Sequence, residues 1–227
     1  MNYLELVQEL ARESGTTRNA DPSGQGIDTL ADPDNKHLED LKAWIRKAWN
    51  EIQLQCDWSF NIRMGVVETT PGDRVIDLPT QVPDFRRLVP YFQPFTKRWI
   101  RLGERDPVFH VRYQNWAGHV ARMKSQSRKP RNFTIRPDGF MEVWPEPPEQ
   151  YEISFDYLAE PQILEEDEDI PVMPLRYHDL IVYRALVKYA GFDEASAQYQ
   201  RAIPEIRRLE LAMGRELLPE IRVRGAR

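Results

Sequence analysis

Apolar residues recur with a helical period at both ends of the chain and with a two-residue period in its middle. At the start, Leu4, Val7, Leu10 and Ala11 mark one face of a 3.6-residue turn, and Glu5, Gln8, Glu9 and Arg12 take the other. This predicts a helix over residues 2–13, stopped by Gly15. Residues 14–34 are Ser, Thr, Asn, Asp, Gly and Pro with few apolar positions, which predicts a long surface loop. Asp34 is the expected N-cap of a second helix. Leu38, Leu41, Trp44, Ile45, Ala48, Trp49 and Ile52 form its apolar stripe over about four turns. The two tryptophans read as core, and Cys56 near the helix end as an inert thiol.

From Trp58 the period changes to two. Residues 65–70 and 74–79, joined by Pro71-Gly72-Asp73, read as a β-hairpin. Residues 79–97 are broken by prolines, and Trp99 to Leu102 form a short strand. Asp106-Pro107 then reads as the opening of a helix with proline at its first position, Val108, Val111, Trp116 and Val120 lying on its apolar side. Residues 132–136 and 140–144 alternate across Pro137-Asp138-Gly139, a strong hairpin signal. In the run 151–158, Tyr151, Ile153, Phe155 and Tyr157 point one way while Glu152, Ser154 and Asp156 point the other, as in a half-buried antiparallel strand.

The acidic run Glu165 to Asp169 reads as a solvated linker. Pro171 and Pro174 lead into a helix from Leu175 to Ala190 that is apolar nearly all round, as the central member of a bundle is. Gly191 is expected to close it. Asp193 is expected to cap a last helix, with Tyr199, Ile203, Ile206, Leu209, Met213 and Leu217 inward and Pro204 kinking or restarting it. The fold class is therefore α+β. A helical bundle core, residues 1–58 and 172–218, is built from the N- and C-terminal segments. It carries an inserted antiparallel β-rich domain, 59–171, and an extended C-terminal tail, 219–227.

Composition narrows the function. The chain has 227 residues, 41% of them apolar, enough for a substantial core. A net charge of −5 excludes a wholesale basic nucleic-acid binder, and no apolar run is long enough to span a bilayer. Met1 to Glu5 lack a signal-peptide pattern, so the expectation is a soluble protein made in the cytoplasm. One cysteine excludes an internal disulfide framework.

Catalytic signatures are absent: no HExxH, GxSxG or GxxxxGK[ST] occurs, and Gly24-Gln25-Gly26 does not follow a strand. His37, His110, His119 and His178 are scattered, so no metal site or cofactor is expected. Glu142, Glu152 and Asp156 supply the only candidate acid pairs. Glu152 and Asp156 are four residues apart on one strand, about 13 Å between Cα atoms, too far for a glycosidase pair unless the side chains lean inward.

The charge is segregated. Residues 86–136 hold 13 Lys+Arg and two Asp+Glu, a net of +11, and residues 138–171 hold 12 Asp+Glu and no Lys or Arg, a net of −12. Such blocks pair within a subunit or between neighbours in an assembly. Arg122, Lys124, Arg128, Lys129 and Arg131 form a basic loop suited to a neighbouring subunit or to DNA phosphates.

Four segments carry a family likeness. They are Tyr3 to Leu10; Trp44 to Gln53 with Asp57-Trp58-Ser59-Phe60; Arg131-Asn132-Phe133 to Trp144-Pro145; and His178 to Leu186 with Lys188-Tyr189-Ala190 and Tyr199-Gln200-Arg201. In this order they span nearly the whole chain. The sequence resembles the head-to-tail adaptors of tailed bacteriophages, the tail accessory factors that dock beneath the portal. The resemblance implies a non-enzymatic structural protein at the head–tail junction of the virion, made in the host cytoplasm. It also implies a homo-oligomeric ring, commonly of twelve copies, beneath the portal protein ring and above a tail nozzle or tail-completion protein, with genomic DNA passing through. It implies a C-terminal segment reaching onto the portal, here Leu217, Leu218, Ile221, Arg222, Val223 and Arg224. The alternatives are a virion-associated peptidoglycan hydrolase using the carboxylates above, and a DNA-binding virion module using residues 122–136.

Overall fold

The computed structural model describes residues 1–17, 27–31, 35–89, 100–102, 106–122 and 128–218. The fold is α+β. Contacts divide the chain into two compact units. One holds Met1–Asn61 with the chain from Pro161 to the end of the last helix, and the other holds Ile62–Glu160.

The first unit is helical. Helix α1 (Tyr3–Ser14) starts at a reciprocal capping box: Asn2 Oδ1 accepts from the Glu5 N–H at 2.8 Å, and the Glu5 carboxylate accepts from the Asn2 N–H at 2.9 Å. It stops at Gly15, whose φ of 77° is left-handed. Two more N–H groups of the first turn donate to the acidic run, Tyr3 to Asp169 O at 2.8 Å and Leu4 to Asp167 O at 3.1 Å. This corrects the reading of residues 165–169 as a linker. The run is an ordered loop that satisfies donors a helix start leaves open. Asp169 folds the loop on itself by accepting from the Glu165 and Glu166 N–H groups, and these bonds hold its carboxyl below the usual range. The Asp167 carboxylate accepts from the Thr29 hydroxyl at 2.9 Å and from the Leu30 N–H.

Helix α2 (Lys36–Gln55) buries Leu38, Leu41, Ile45, Ala48, Trp49 and Ile52, most of the expected stripe. Trp44 is partly buried, edge-on to Tyr189 at 5.6 Å. Asp34 lies outside the described residues, and Asn35 is the N-cap, accepting from the Leu38 N–H. Trp49 and Trp58 both stack on Phe60, at 6.0 and 6.1 Å. After a 3-10 turn at Leu175–Tyr177, helix α5 (Asp179–Phe192) packs against α1, α2 and α6 (Ser196–Leu217), as its nearly all-round apolar sequence requires.

Three expectations here are corrected. Gly191 lies inside α5 and does not end it. Asp193 is the C-cap of α5, its carboxylate accepting from the Tyr189 hydroxyl at 2.6 Å, so it is not free to cap the next helix. The reversal falls at Glu194, at φ 51°. Pro204 does not restart the last helix but lies within it, and the buried residues are Ala202, Leu209, Met213 and Leu217, while Tyr199 is exposed.

The second unit is a sheet in the order β1 (Ile62–Glu68), β8 (Glu152–Ala159), β4 (Ile100–Leu102), β5 (Asp106–His110), β6 (Asn132–Ile135), β7 (Met141–Trp144), β2 (Val75–Ile76), with β3 (Phe85–Leu88) also on β8. Helix α3 (Leu78–Gln81) and helix α4 (Tyr113–Arg122) interrupt it. Ile153, Phe155 and Tyr157 of β8 are buried, as the alternation predicts. Gly65 sits opposite Phe155, where a Cβ would lie 3.0 Å from the ring, so only glycine fits without displacement. The Asp138-Gly139 turn joins β6 and β7, with Gly139 at φ 86°.

The expected hairpin over 65–79 does not form. β1 finds seven partners along β8, while β2 pairs with β7. Gly72, at φ 77°, donates to Pro147 O, and Val143 donates to Arg74 O, carrying the chain to β7. The helix expected to open at Asp106-Pro107 is also corrected. Residues 106–110 are β5, the helix starts at Tyr113, and Asp106 pairs with Lys129 rather than capping a helix. The sheet is not wholly antiparallel, because β5 and β6 run parallel.

Candidate functional site

The candidate carboxylates do not assemble an acid–base pair. Glu142 lies on β7 opposite Val75 and Thr134, whereas Glu152 and Asp156 lie on β8 opposite Glu68 and Met64. Among the described residues no three His, Cys, Asp or Glu side chains are grouped to hold a metal ion. Burial, with Asp57 alongside, pushes the Cys56 thiol up, away from a reactive thiolate. His110 packs on Phe133 at 5.1 Å, and His119 stacks on Trp116 at 6.0 Å.

His178 is the exception, with a structural task the sequence did not reveal. It is 1% exposed at the start of α5. Its Nε2 lies 2.8 Å from Met173 O, an acceptor only, so Nε2 carries the proton. Nδ1 lies 3.0 Å from both the Met1 ammonium and Met1 O, and as the unprotonated nitrogen it accepts from the ammonium. Burial is the largest influence and holds its pKa below the ordinary value, opposed by the bond to Met173 O, by Met1 O and by Asp179 and aided by the ammonium. The imidazole is a neutral strut between three segments of the helical unit.

The basic loop divides. Arg122 ends α4 and lines an open groove of about 710 Å³ with Val111, Gln114, Asn115, Gly118 and His119. Lys124 lies outside the described residues. Arg128 and Arg131 are exposed, their N–H groups donating to Glu146 O at 3.0 Å and Trp144 O at 2.9 Å, so this segment runs beside β7. Lys129 is paired with Asp106. Arg136–Asp138 joins the basic block to the acidic one inside the β unit, whereas Arg63–Asp84 lies outside both blocks. Arg122, Arg128 and Arg131 have no ion-pair partner among the described residues.

Of the C-terminal candidates, Leu217 is buried as the last residue of α6, and Leu218 is its partly exposed C-cap. Ile221, Arg222, Val223 and Arg224 lie outside the described residues.

Two further surfaces, both on the helical unit, were not singled out by the sequence. The Gln162 amide donates to Ile170 O at 2.9 Å and accepts from the Val172 N–H at 3.0 Å, which lays residues 170–172 beside residue 162. Leu164, Pro171 and Met173 turn inward. Ile163, Ile170, Val172 and Leu175 turn outward, the first, second and fourth of them more than 60% exposed. The exposed Glu165, Glu166 and Glu168 flank this strip. The second surface is the outer ridge of α6, where Arg207, Leu211, Arg215 and Leu218 follow spacings of 4, 4 and 3 on the side away from the buried stripe.

The family model described as SU10 adaptor protein matches residues 1–224. The chain belongs to this family. Its members are phage head-to-tail adaptors, so the adaptor role expected from the four sequence segments stands. No curated protein matches the sequence. The family places the adaptor at the neck of the virion, and no helix among the described residues is long and apolar enough to cross a membrane. Surfaces, rather than a catalytic constellation, are the features of the adaptor that call for partners.

Proposed function

We propose that the adaptor assembles as a ring of twelve copies beneath the portal, joins the capsid to a tail nozzle or tail-completion protein, and continues the channel through which the genome passes. The observation that carries this reading is membership of an adaptor family over residues 1–224. Each subunit brings to the ring a helical unit, Met1–Asn61 with the chain from Pro161, and a β-rich unit, Ile62–Glu160. Arg122, Lys124, Arg128 and Arg131 face the neighbouring subunit or the passing DNA.

In this reading Ile221, Arg222, Val223 and Arg224 dock on the portal, while Leu217, buried at the end of α6, and its C-cap Leu218 anchor the segment to the helical unit. Ile221 and Val223 alternate with Arg222 and Arg224, which offers a partner both apolar and cationic contacts. Chains ending at residue 218 should fold as the full chain does and bind the cognate portal more weakly. Equal portal binding by both chains would remove the tail from the mechanism.

A further inference from the structure

The aliphatic strip is unusual for a surface that stays in water. Ile163 is 68% exposed, Ile170 62% and Leu175 68%, and hydrogen bonds from the Gln162 side-chain amide to the backbone of Ile170 and Val172 lay residues 170–172 beside residue 162. Large aliphatic side chains grouped and rimmed by polar groups mark an interaction surface. The rim here is acidic: Glu165, Glu166 and Glu168 are exposed, while Asp167 and Asp169 are engaged within the loop. A matching partner presents exposed aliphatic side chains flanked by cations.

The chain carries such a surface. Leu211 is 59% exposed on the outer side of α6, and Leu218 lies two turns further on. Arg207 and Arg215 sit one turn either side of Leu211, and no ion pair engages either among the described residues. Arg176, the cation next to Leu175, is already paired with Glu216 and does not neutralise the acidic rim. The two surfaces belong to one helical unit, opposite in charge and alike in their aliphatic centres.

We propose that the aliphatic strip Ile163–Ile170–Val172–Leu175 is covered by the α6 ridge of a second copy of this chain. The acidic rim then meets Arg207 and Arg215. The contact joins two different patches, so it is head-to-tail, the kind that closes into a ring when the rotation allows. It rests on the ring reading above and gives that reading its subunit interface.

The test is charge reversal and its rescue. Copies bound to one another are counted by mass photometry on the purified full chain, alone and on cognate portal rings. The double variants Glu165→Arg/Glu166→Arg and Arg207→Glu/Arg215→Glu should each weaken self-association about 100-fold, because like charges then face each other. The combined fourfold variant should recover to within about tenfold of the original. Leu211→Asp should give a comparable loss through the apolar half of the contact. All five positions are exposed, and unchanged melting curves establish that the variants fold. Full assembly by both double variants and by Leu211→Asp would overturn this interface and leave the ring reading standing. Failure of the unaltered chain to self-associate, alone and on the portal, would overturn the ring reading and this inference with it.

Discussion

Replacing His178 with alanine tests whether the buried imidazole holds the helical unit together. The ring is 1% exposed and bridges Met173 O and the Met1 ammonium. Its removal strands a buried carbonyl, which costs about 1–3 kcal/mol, and leaves a cavity that adds to the loss. A total of about 3 kcal/mol lowers the melting temperature of a domain this size by roughly 10 °C. The pH dependence gives a second readout. Burial depresses the folded-state pKa below the ordinary 6.5, so the ring is neutral in both states above that value. As pH falls below 6.5 the unfolded chain takes up a proton that the folded chain resists. Stability therefore declines until the folded pKa is passed. Melting followed by circular dichroism at pH 7.5 and at pH 5 should show this decline in the unaltered chain, with the contribution of His178 missing from His178→Ala. A shift of less than about 2 °C at pH 7.5, with an unchanged pH profile, would refute the strut.

Two further outcomes follow from the β unit. Gly65→Val places side-chain atoms against the Phe155 and Tyr157 rings, 3.0 and 3.2 Å from the Cβ position. It should cost about 1–3 kcal/mol in denaturant melts, and a neutral effect would mean β1 and β8 are not paired in this register. Replacing Arg122, Arg128 and Arg131 together with glutamine should reduce the salt dependence of any DNA affinity by up to about three phosphate contacts, and an unchanged slope in fluorescence anisotropy would place DNA elsewhere.

The helices were legible where one face meets one core. Leu38 to Ile52 on α2 and the nearly all-apolar α5 carry their partners' demands in their own spacing, and the Asp138-Gly139 turn encodes its hairpin locally. Strand partners at long range were not legible. The Pro71-Gly72-Asp73 turn resembles a hairpin signal, yet β1 gains seven partners from β8, more than 80 residues away. Asp106-Pro107 fits a helix start equally well, until Lys129, on the segment leading into the neighbouring β6, takes the Asp106 carboxylate. Asp193 fits an N-cap until Tyr189 claims its side chain.

The adaptor role was legible from four segments in order, none of them chemical. The surfaces were harder to see. Ile163, Ile170 and Val172 read as irregular chain around an acidic run and Leu175 as the start of a helix, with no period to mark a shared face. Only the Gln162 bonds bring Ile170 and Val172 alongside residue 162. Likewise the Arg207–Leu211–Arg215 ridge is a second stripe on a helix whose first stripe already explains its burial.

The most direct test of the account is to mix the purified protein with its cognate portal ring and image the complexes by negative-stain electron microscopy. The account predicts one added ring layer on one end of the portal, with twelvefold symmetry in its class averages. Bare portals beside folded, soluble protein would contradict it.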